Sequence, residues 1–551
     1  VPERRTGELK TFRIRFSDLP SSSELFKDFI YNPGALVPWL GSDFRDPNGY
    51  ERTAAQLAGV DFSRSELGRI LGAQNQEFGA TEKTFSNIDL IHDRDALCVV
   101  TGQQVGLLGG PILSLYKAVT VIKLARKLSD LLAHPVVPVF WLATDDHDLA
   151  EVDHVLLPTE EGKLEKISYE PIESIDGRPM ASVSLDASIG GFLDRVSDTP
   201  PATEFKSELV DLLRSYYSEE SSIFAAFARL LLHYLGKHGL VVMNPADAGL
   251  RSMAKDVFKR EVIDFKTTRE AIKETNRSLI GAGYHLQVTR PEQYTNLFLC
   301  EDRRSRIEYR DGRFCVDGTE REYSRDELVD SIESTPASFS PNVLLRLIAQ
   351  SRLFPTVAFV GGPAEIAYFA QVKGLFPIFD VVPPIVHPRL SATLIEGKWA
   401  SFIEKHDIDL SRLPAYGSRE AYLTSILDAR FPKDIDALLE ESQKHSMAEI
   451  DKMRDVIESD SGLVKTFEQT RKKIDYELNS FRSKALKSNR KAHDGLSQKF
   501  RRLAEHLFPE QSLQERHYSL MYFANKYGPA IVDTISNKLD AETYEHQVIR
   551  L

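Results

Sequence analysis

Val99-Val100-Thr101-Gly102-Gln103-Gln104-Val105-Gly106-Leu107-Leu108-Gly109-Gly110-Pro111 is the stretch on which the fold turns. A β-branched apolar run enters a glycine-rich loop, and Pro111 stands where a helix would start. Proline suits that place because the first helical turn does not need its N–H. Glycines let backbone approach a ligand closely, and a helix N-terminus offers unpaired N–H groups and the positive end of a dipole. The reading is strand, anion-friendly loop, helix. The loop is neither a Walker loop nor a strict G-x-G-x-x-G fingerprint, so a tight turn whose glycines serve packing competes with it.

Outward from this stretch, continuous apolar runs recur at 96–101, 136–143, 240–244, 356–360 and 378–382. They do not alternate, which predicts strands covered on both faces. Helical patterns at 112–132, 250–264 and 364–375 follow several of them. Strand, helix, strand at this spacing predicts an α/β fold with a Rossmann-like parallel-sheet core. Two β-rich interruptions are read as insertions. One spans 163–185. The other has strands at 284–289, 296–300, 306–309 and 313–316, with Asp311-Gly312 as a hairpin turn.

Beyond about residue 390 charged helix takes over. Ile474, Leu478, Phe481 and Ala485 are spaced 4, 3 and 4 apart, and Leu496, Phe500, Leu503 and Leu507 repeat that spacing. A heptad seam of this kind predicts a C-terminal α-helical coiled-coil domain. Its expected partner helix is 437–457, with Gly462 in the connection. The end is read as one helix and a short strand near Val548. The expected segments are 1–160, 161–235, 236–280, 281–335, 336–392, 393–512 and 513–551.

Three stretches carry candidate chemistry. In the first, Thr101, Gly102, Gln103, Gln104 and Gly106 are placed to hold phosphate or carboxylate oxygens. The second is Thr144-Asp145-Asp146-His147-Asp148-Leu149-Ala150-Glu151-Val152-Asp153-His154, after the second strand. Ligands of open α/β sheets bind at that edge. His147 is a candidate general base toward an amine, with Asp146 beside it. Alternatively Asp and Glu of this stretch hold magnesium for a nucleotide, Asp146 and His147 handling either the metal or the incoming amine, with Asp145 and Asp148 as candidate nucleotide- or substrate-binding residues. If the segment is helical, His147, Glu151 and His154 share a face fit for a transition metal. Plain helix capping is the competing explanation.

The third runs from Ser340-Pro341-Asn342 to Arg346, then through Gly361-Gly362-Pro363 into a second helix start. Arg346 suits a carboxylate or phosphate. Glu365, Tyr368 and Gln371 fall near one helical face and suit ribose, amine or sugar hydroxyls. Glu365 equally suits the helix dipole alone. Asn342, Gly361 and Gly362 complete the candidate binding set. His387-Pro388-Arg389-Leu390-Ser391 can close the same pocket. The basic helix around Arg482–Arg502 offers a second anion site at Arg490 and Lys491, although most such runs are solvated faces.

Composition narrows the class. Of 551 residues, 42% are hydrophobic and 27% charged, which fits a globular chain. Three cysteines without a C-x-x-C indicate neither a disulfide framework nor a thiolate zinc site, and point to a reducing, cytoplasmic setting. The net charge of -12 argues against nucleic acid as a partner. No stretch approaches the roughly 20 apolar residues of a membrane span. Residues 1–16 have no apolar core of leader length.

These stretches are similar to the bacillithiol biosynthesis cysteine-adding enzyme family. The resemblance rests on Val100–Pro111 with Tyr116-Lys117-Ala118, and on Pro138–Trp141 running into Asp145–Asp148. It rests also on Ser340–Arg346 with Val360–Gln371. Further matches are Gly283-Tyr284-His285, Thr295-Asn296-Leu297-Phe298, Leu513-Gln514-Glu515-Arg516 and Asn525-Lys526-Tyr527-Gly528-Pro529. One departure is Thr144-Asp145-Asp146-His147, where the family pattern has a small residue and Glu before Asp-His. The resemblance implies connecting-peptide insertions and a coiled coil that dimerises the chain. It also implies a ligase that adds cysteine to glucosamine-malate in the last step of bacillithiol synthesis. Such a ligase would use ATP or ADP chemistry and magnesium, for neither of which the chain carries a strict signature. The alternatives are a non-catalytic coiled-coil dimer with a ligand-binding core, or a nucleotidyl or glycosyl transferase.

Overall fold

Five apolar strands build the central sheet: β1 (Leu97–Gln103), β2 (Val136–Leu142), β3 (Val241–Met243), β4 (Thr356–Gly361) and β5 (Ile385–Pro388). All but Gln103 are buried along their length, as expected of strands covered on both faces. This is a computed structural model describing residues 12–19 and 22–551. Most of the 1–16 stretch considered above as a leader lies outside the described residues.

The order is β5-β4-β1-β2-β3, with every neighbouring pair parallel. The chain steps outward from β1 to β3, then returns to place β4 on the other side of β1. That reversal makes a topological switch point between β1 and β4, where the flanking loops diverge and open a crevice. Register sets the two loops side by side, since Val360 pairs with Thr101. Helix α1 (Leu113–Leu132) packs on β1 and β2, burying Leu115, Val119 and Leu128. Each such burial contributes roughly 1.5–3 kcal/mol. Helices α2 (Ala248–Ile263), α3 (Val343–Leu353) and α4 (Pro363–Ala370) complete the layers that bear on the site.

The run at 378–382 is not the fifth strand. Leu375–Phe379 forms a short helix that ends at Asp380 in the left-handed region, φ 54°. Pro383 and Pro384 lack the N–H a ladder needs, so β5 starts after them at Ile385. The insertion sheet is antiparallel, with Tyr294–Cys300, Arg304–Arg310 and Arg313–Val316 at its centre. Asp311 and Gly312, at φ 52° and 86°, make its two-residue turn. The expected strand at 284–289 is absent, because a side chain rather than a ladder holds that segment. The interruption at 163–185 contains one strand, Leu164–Ser168, paired with His154–Pro158. The end of the chain forms two helices, Leu520–Tyr527 and Ile531–Lys538, before the strand His546–Arg550.

Contacts divide the chain into two compact units, Val1–Gly397 with Gln514–Leu551, and Lys398–Leu513. The second is helical. Ser461–Ala492 lies against Lys433–Asp451 and the short Arg454–Ile457. Gly462 is not in the connection but in the first turn of the long helix, because Asp460 caps it by accepting from the Gly462 and Leu463 N–H groups. The heptad reading is displaced too. Phe481 is 60% exposed, while Arg482 turns inward and bonds Asp436 at 2.7 Å. No described helix is long and apolar enough to cross a membrane.

Candidate active site

The switch point opens into a cavity of about 520 Å³ lined by residues from every core motif. Its floor is the end of β1. Lys117, five residues into α1, points back to that end with its side chain 5% exposed. Its ammonium donates to Gly102 O at 2.8 Å, Gln103 Oε1 at 2.6 Å and Glu365 Oε1 at 2.7 Å. Burial pulls its pKa down, and Glu365 opposes that shift. Glu365 also accepts from Gly362 N–H at 2.6 Å, closing the first turn of α4. It is therefore a cap and counter-ion whose carboxylate fixes the lysine.

Cationic side chains continue along that wall. Arg346, on α3, donates to the Tyr368 hydroxyl at 3.1 Å and stacks between the Trp141 and Phe359 rings, 5.7 Å from each. Arg389, just past β5, passes against Gly362, where a Cβ would meet its Nε at 3.1 Å. A larger residue at 362 would push the guanidinium aside by a few tenths of an ångström. Arg516 lines the same cavity. Arg346 and Arg516 have no carboxylate within ion-pair distance among the described residues, whereas Arg389 is paired with Glu515.

The opposite edge is acidic. The Gln104 amide nitrogen donates to Asp146 Oδ2 at 2.7 Å and also to Glu151, so one side chain holds two carboxylates together. His147 follows Asp146 but stands outside the cavity, its Nδ1 3.8 Å from Asp146 Oδ1, beside Phe298. Burial lowers its pKa, helped by Arg304 and opposed by Asp146 and Asp148, so the imidazole is neutral at neutral pH.

Gly102, Gln103, Gln104, Asp146, Arg346, Gly362, Glu365 and Tyr368 thus converge on one space. Other candidates have internal partners. The Thr101 hydroxyl donates to Val360 O at 2.8 Å. Gly106 packs on Gly110, where a Cβ would come within 3.0 Å, and Gly361 packs on the Glu365 Cβ. Asp145 pairs with Arg251 at 2.6 Å and is buried, while Asp148 is exposed. Asn342 caps α3, accepting from Leu344 and Leu345 N–H, and donates to Asn296. Gln371 is buried, with its amide bonded to Asn276 and to both backbone groups of Val288. That clamp replaces the strand expected at 284–289 and sets Val288 against the cavity.

The helical metal triad does not form. Leu149–Glu151 is a single 3₁₀ turn, and His154 opens a strand and bonds Asp153 at 2.8 Å. Among the described residues no group of three His, Cys, Asp or Glu has the geometry to hold a metal ion. In the helical unit Arg490 forms a two-point pair with Asp428 at 2.6 and 2.7 Å, and Lys491 is exposed.

Sequence reasoning missed Lys117, Arg516 and Trp141 as site residues. A lone lysine within Leu115-Tyr116-Lys117-Ala118-Val119 is a readable signal, since a charge inside an apolar helix needs a buried partner. Arg516 has no local signal, and Trp141 reads as core.

A Rossmann-like core with a switch-point crevice, cationic on one wall and acidic on the other, places this chain among α/β proteins with a charged pocket at the carboxyl edge of the sheet. The chain belongs to the bacillithiol biosynthesis BshC family. The N-terminal Rossmann-like domain of that family matches residues 12–390, and its C-terminal coiled-coil domain matches 392–551. A relative from Salinibacter ruber is 32% identical over 533 residues, covering 96% of each chain. One from Koribacter versatilis is 32% identical over 544 residues, covering 98% of this chain and 99% of the relative. One from Geobacillus kaustophilus is 31% identical over 538 residues, covering 95% and 97%. All three carry the name "Putative cysteine ligase BshC", and the family is one of ligases.

Proposed function

We propose that this chain joins the carboxylate of cysteine to the amine of glucosamine-malate, the last step of bacillithiol synthesis, through a nucleotide-activated carboxylate. The observation that carries the reading is the polarity of the crevice: Arg346 and Arg516, without carboxylate partners, face the Asp146 and Glu151 pair across one cavity. The malate and cysteine carboxylates and a nucleotide phosphate all suit the arginine wall. A cationic amine suits the acidic edge.

Amide formation in water is slow, so the carboxylate must first become an acyl adenylate or acyl phosphate. Charge that builds on the phosphoryl oxygens is stabilised by fixed donors, here Arg346, Arg389 and Arg516, while Lys117 fixes the β1 loop and Glu365 behind them. The amine must lose a proton before it attacks. Asp146, held by Gln104 and next to neutral His147, is the group at which that proton leaves. Where a nucleotide brings magnesium, Asp146 and Glu151 are the carboxylates that would hold it, and the ion would screen phosphate charge.

Purified chain is incubated with glucosamine-malate, cysteine and ATP, and the thiol product is followed with AMP and ADP. Product with AMP supports an adenylate, and product with ADP an acyl phosphate. Tight binding without product favours a ligand-binding dimer instead. Leu438, Val456 and Phe481, at 66%, 82% and 60% exposed in the helical unit, support a homodimer through that unit. Light scattering of a Phe481→Glu variant tests it: a wild-type dimer should become a monomer.

A further inference from the structure

Arg389 has a buried support that none of the motifs foretold. Its Nη2 donates to Glu515 Oε1 at 2.6 Å, and Glu515 is 0% exposed. Ala392 N–H donates to the other oxygen, Glu515 Oε2, at 2.8 Å. The Ser391 hydroxyl lies 3.0 and 2.9 Å from the two carboxylate oxygens and 2.7 Å from His546 Nδ1. His546 Nε2 lies 2.8 Å from the Thr393 hydroxyl.

Proton counting with a neutral imidazole sets the directions in this chain. A carboxylate only accepts, so the single hydroxyl proton of Ser391 goes to Glu515. Ser391 Oγ must then accept from His546 Nδ1–H. Full burial drives the His546 pKa down to about 4, with Glu515 opposing and Arg389 adding to the shift, so the imidazole is neutral and Nε2 is bare. Nε2 takes the Thr393 hydroxyl proton. The Gln514 side chain, bonded to Leu394 N–H and O, anchors the turn that supplies Glu515 and then Arg516.

We infer that Thr393, His546, Ser391 and Glu515 form a one-directional hydrogen-bond relay that positions Arg389 as an anion-binding residue of the crevice. None of the four is catalytic. Ser391 faces a carboxylate rather than the cavity, so the arrangement resembles a nucleophile triad in composition but acts through the arginine. A carboxylate that accepts from Ser391, Ala392 and Arg389 at once has no freedom to swing. The guanidinium is held at Gly362 before any ligand arrives, and pre-organised donors act without rearrangement.

This inference rests on the crevice taking phosphate or carboxylate, and its test separates it from the ligation reading. Binding of inorganic pyrophosphate to the full chain is measured by calorimetry, beside the thermal midpoint and the ligation assay. Glu515→Gln should weaken pyrophosphate binding about 30-fold, Ser391→Ala about 10-fold and Thr393→Val about 3-fold, as bonds to a charged centre are lost at increasing distance. Thr393→Val keeps the side-chain shape, so it tests the relay even if Glu515→Gln fails to fold. Wild-type affinity in Ser391→Ala and Thr393→Val, with only a lowered midpoint, would show a purely structural role and overturn the relay. A wild-type chain that ignores pyrophosphate overturns it as well. If the graded weakening appears while wild-type chain makes no thiol product, the relay stands and the ligase reading falls.

Discussion

Two regions of this molecule are rich in cationic side chains, one as a dense run along a helix and one gathered from distant parts of the chain, and they differ in what their charges face. In the helical unit, Arg471 pairs with Asp451, Arg482 with Asp436, Arg490 with Asp428 and Arg501 with Glu420. Each pair crosses between helices at a half-exposed surface, where such bridges contribute little. At the crevice, Lys117 and Arg389 are buried in networks, and Arg346 and Arg516 are left toward a cavity. The lesson is that a basic run matters by its counter-ions. Those four arginines of the helical unit are matched by carboxylates on neighbouring helices; the crevice turns Arg346 and Arg516 toward its cavity with Arg389 held beside them.

The largest effect should come from removing the buried lysine. Lys117→Met leaves Glu365 without its ion and should cost about 3–5 kcal/mol in denaturant unfolding. A loss below 1 kcal/mol would mean that the network is as expendable as the surface pairs. Arg346→Ala should lower kcat/KM for ligation about 100-fold with the thermal midpoint nearly unchanged. Equal activity would erase the contrast between the two regions.

Glu261 sharpens the comparison from the stability side. It is fully buried, accepts from the Asn296 backbone and side chain at 2.8 Å, and burial raises its pKa to about 7. A carboxyl whose folded pKa lies above its unfolded one binds more protons when folded. Its contribution is complete below about pH 4.5 and is lost as pH rises through about 7. Glu261→Gln should remove about 3 kcal/mol of pH dependence between those values. An identical pH profile for the variant would show that Glu261 stays ionised when buried. Smallest of all, Arg490→Ala should change stability by under about 1 kcal/mol and leave ligation untouched. A marked loss of nucleotide affinity there would restore Arg490 and Lys491 as an anion site.

Much of this was readable in the chain, and the limits have physical causes. Strands β1 to β4 were legible because burial on both faces demands unbroken apolar runs. β5 was not, since Ile378–Val382 is as apolar as a strand and only the prolines after it decide where pairing can begin. Gln104 and Asp146 were legible because glycine loops and stacked carboxylates are costly without use. Thr101, Asp145, Asn342 and Gln371 looked equally polar and equally well placed. Which of them meet a cavity and which meet Val360, Arg251, the α3 amides or Val288 depends on partners up to hundreds of residues away.

By itself, then, the sequence determined the local chemistry: apolar runs that must be covered, glycine and proline that set loop and helix starts, and a highly charged, helix-rich C-terminal part with a heptad pulse. Tertiary structure decided which charges are free. Ion pairing is a property of distance in space, and Lys117, Arg346, Arg389 and Arg516 share one cavity only because the parallel sheet reverses direction between β1 and β4.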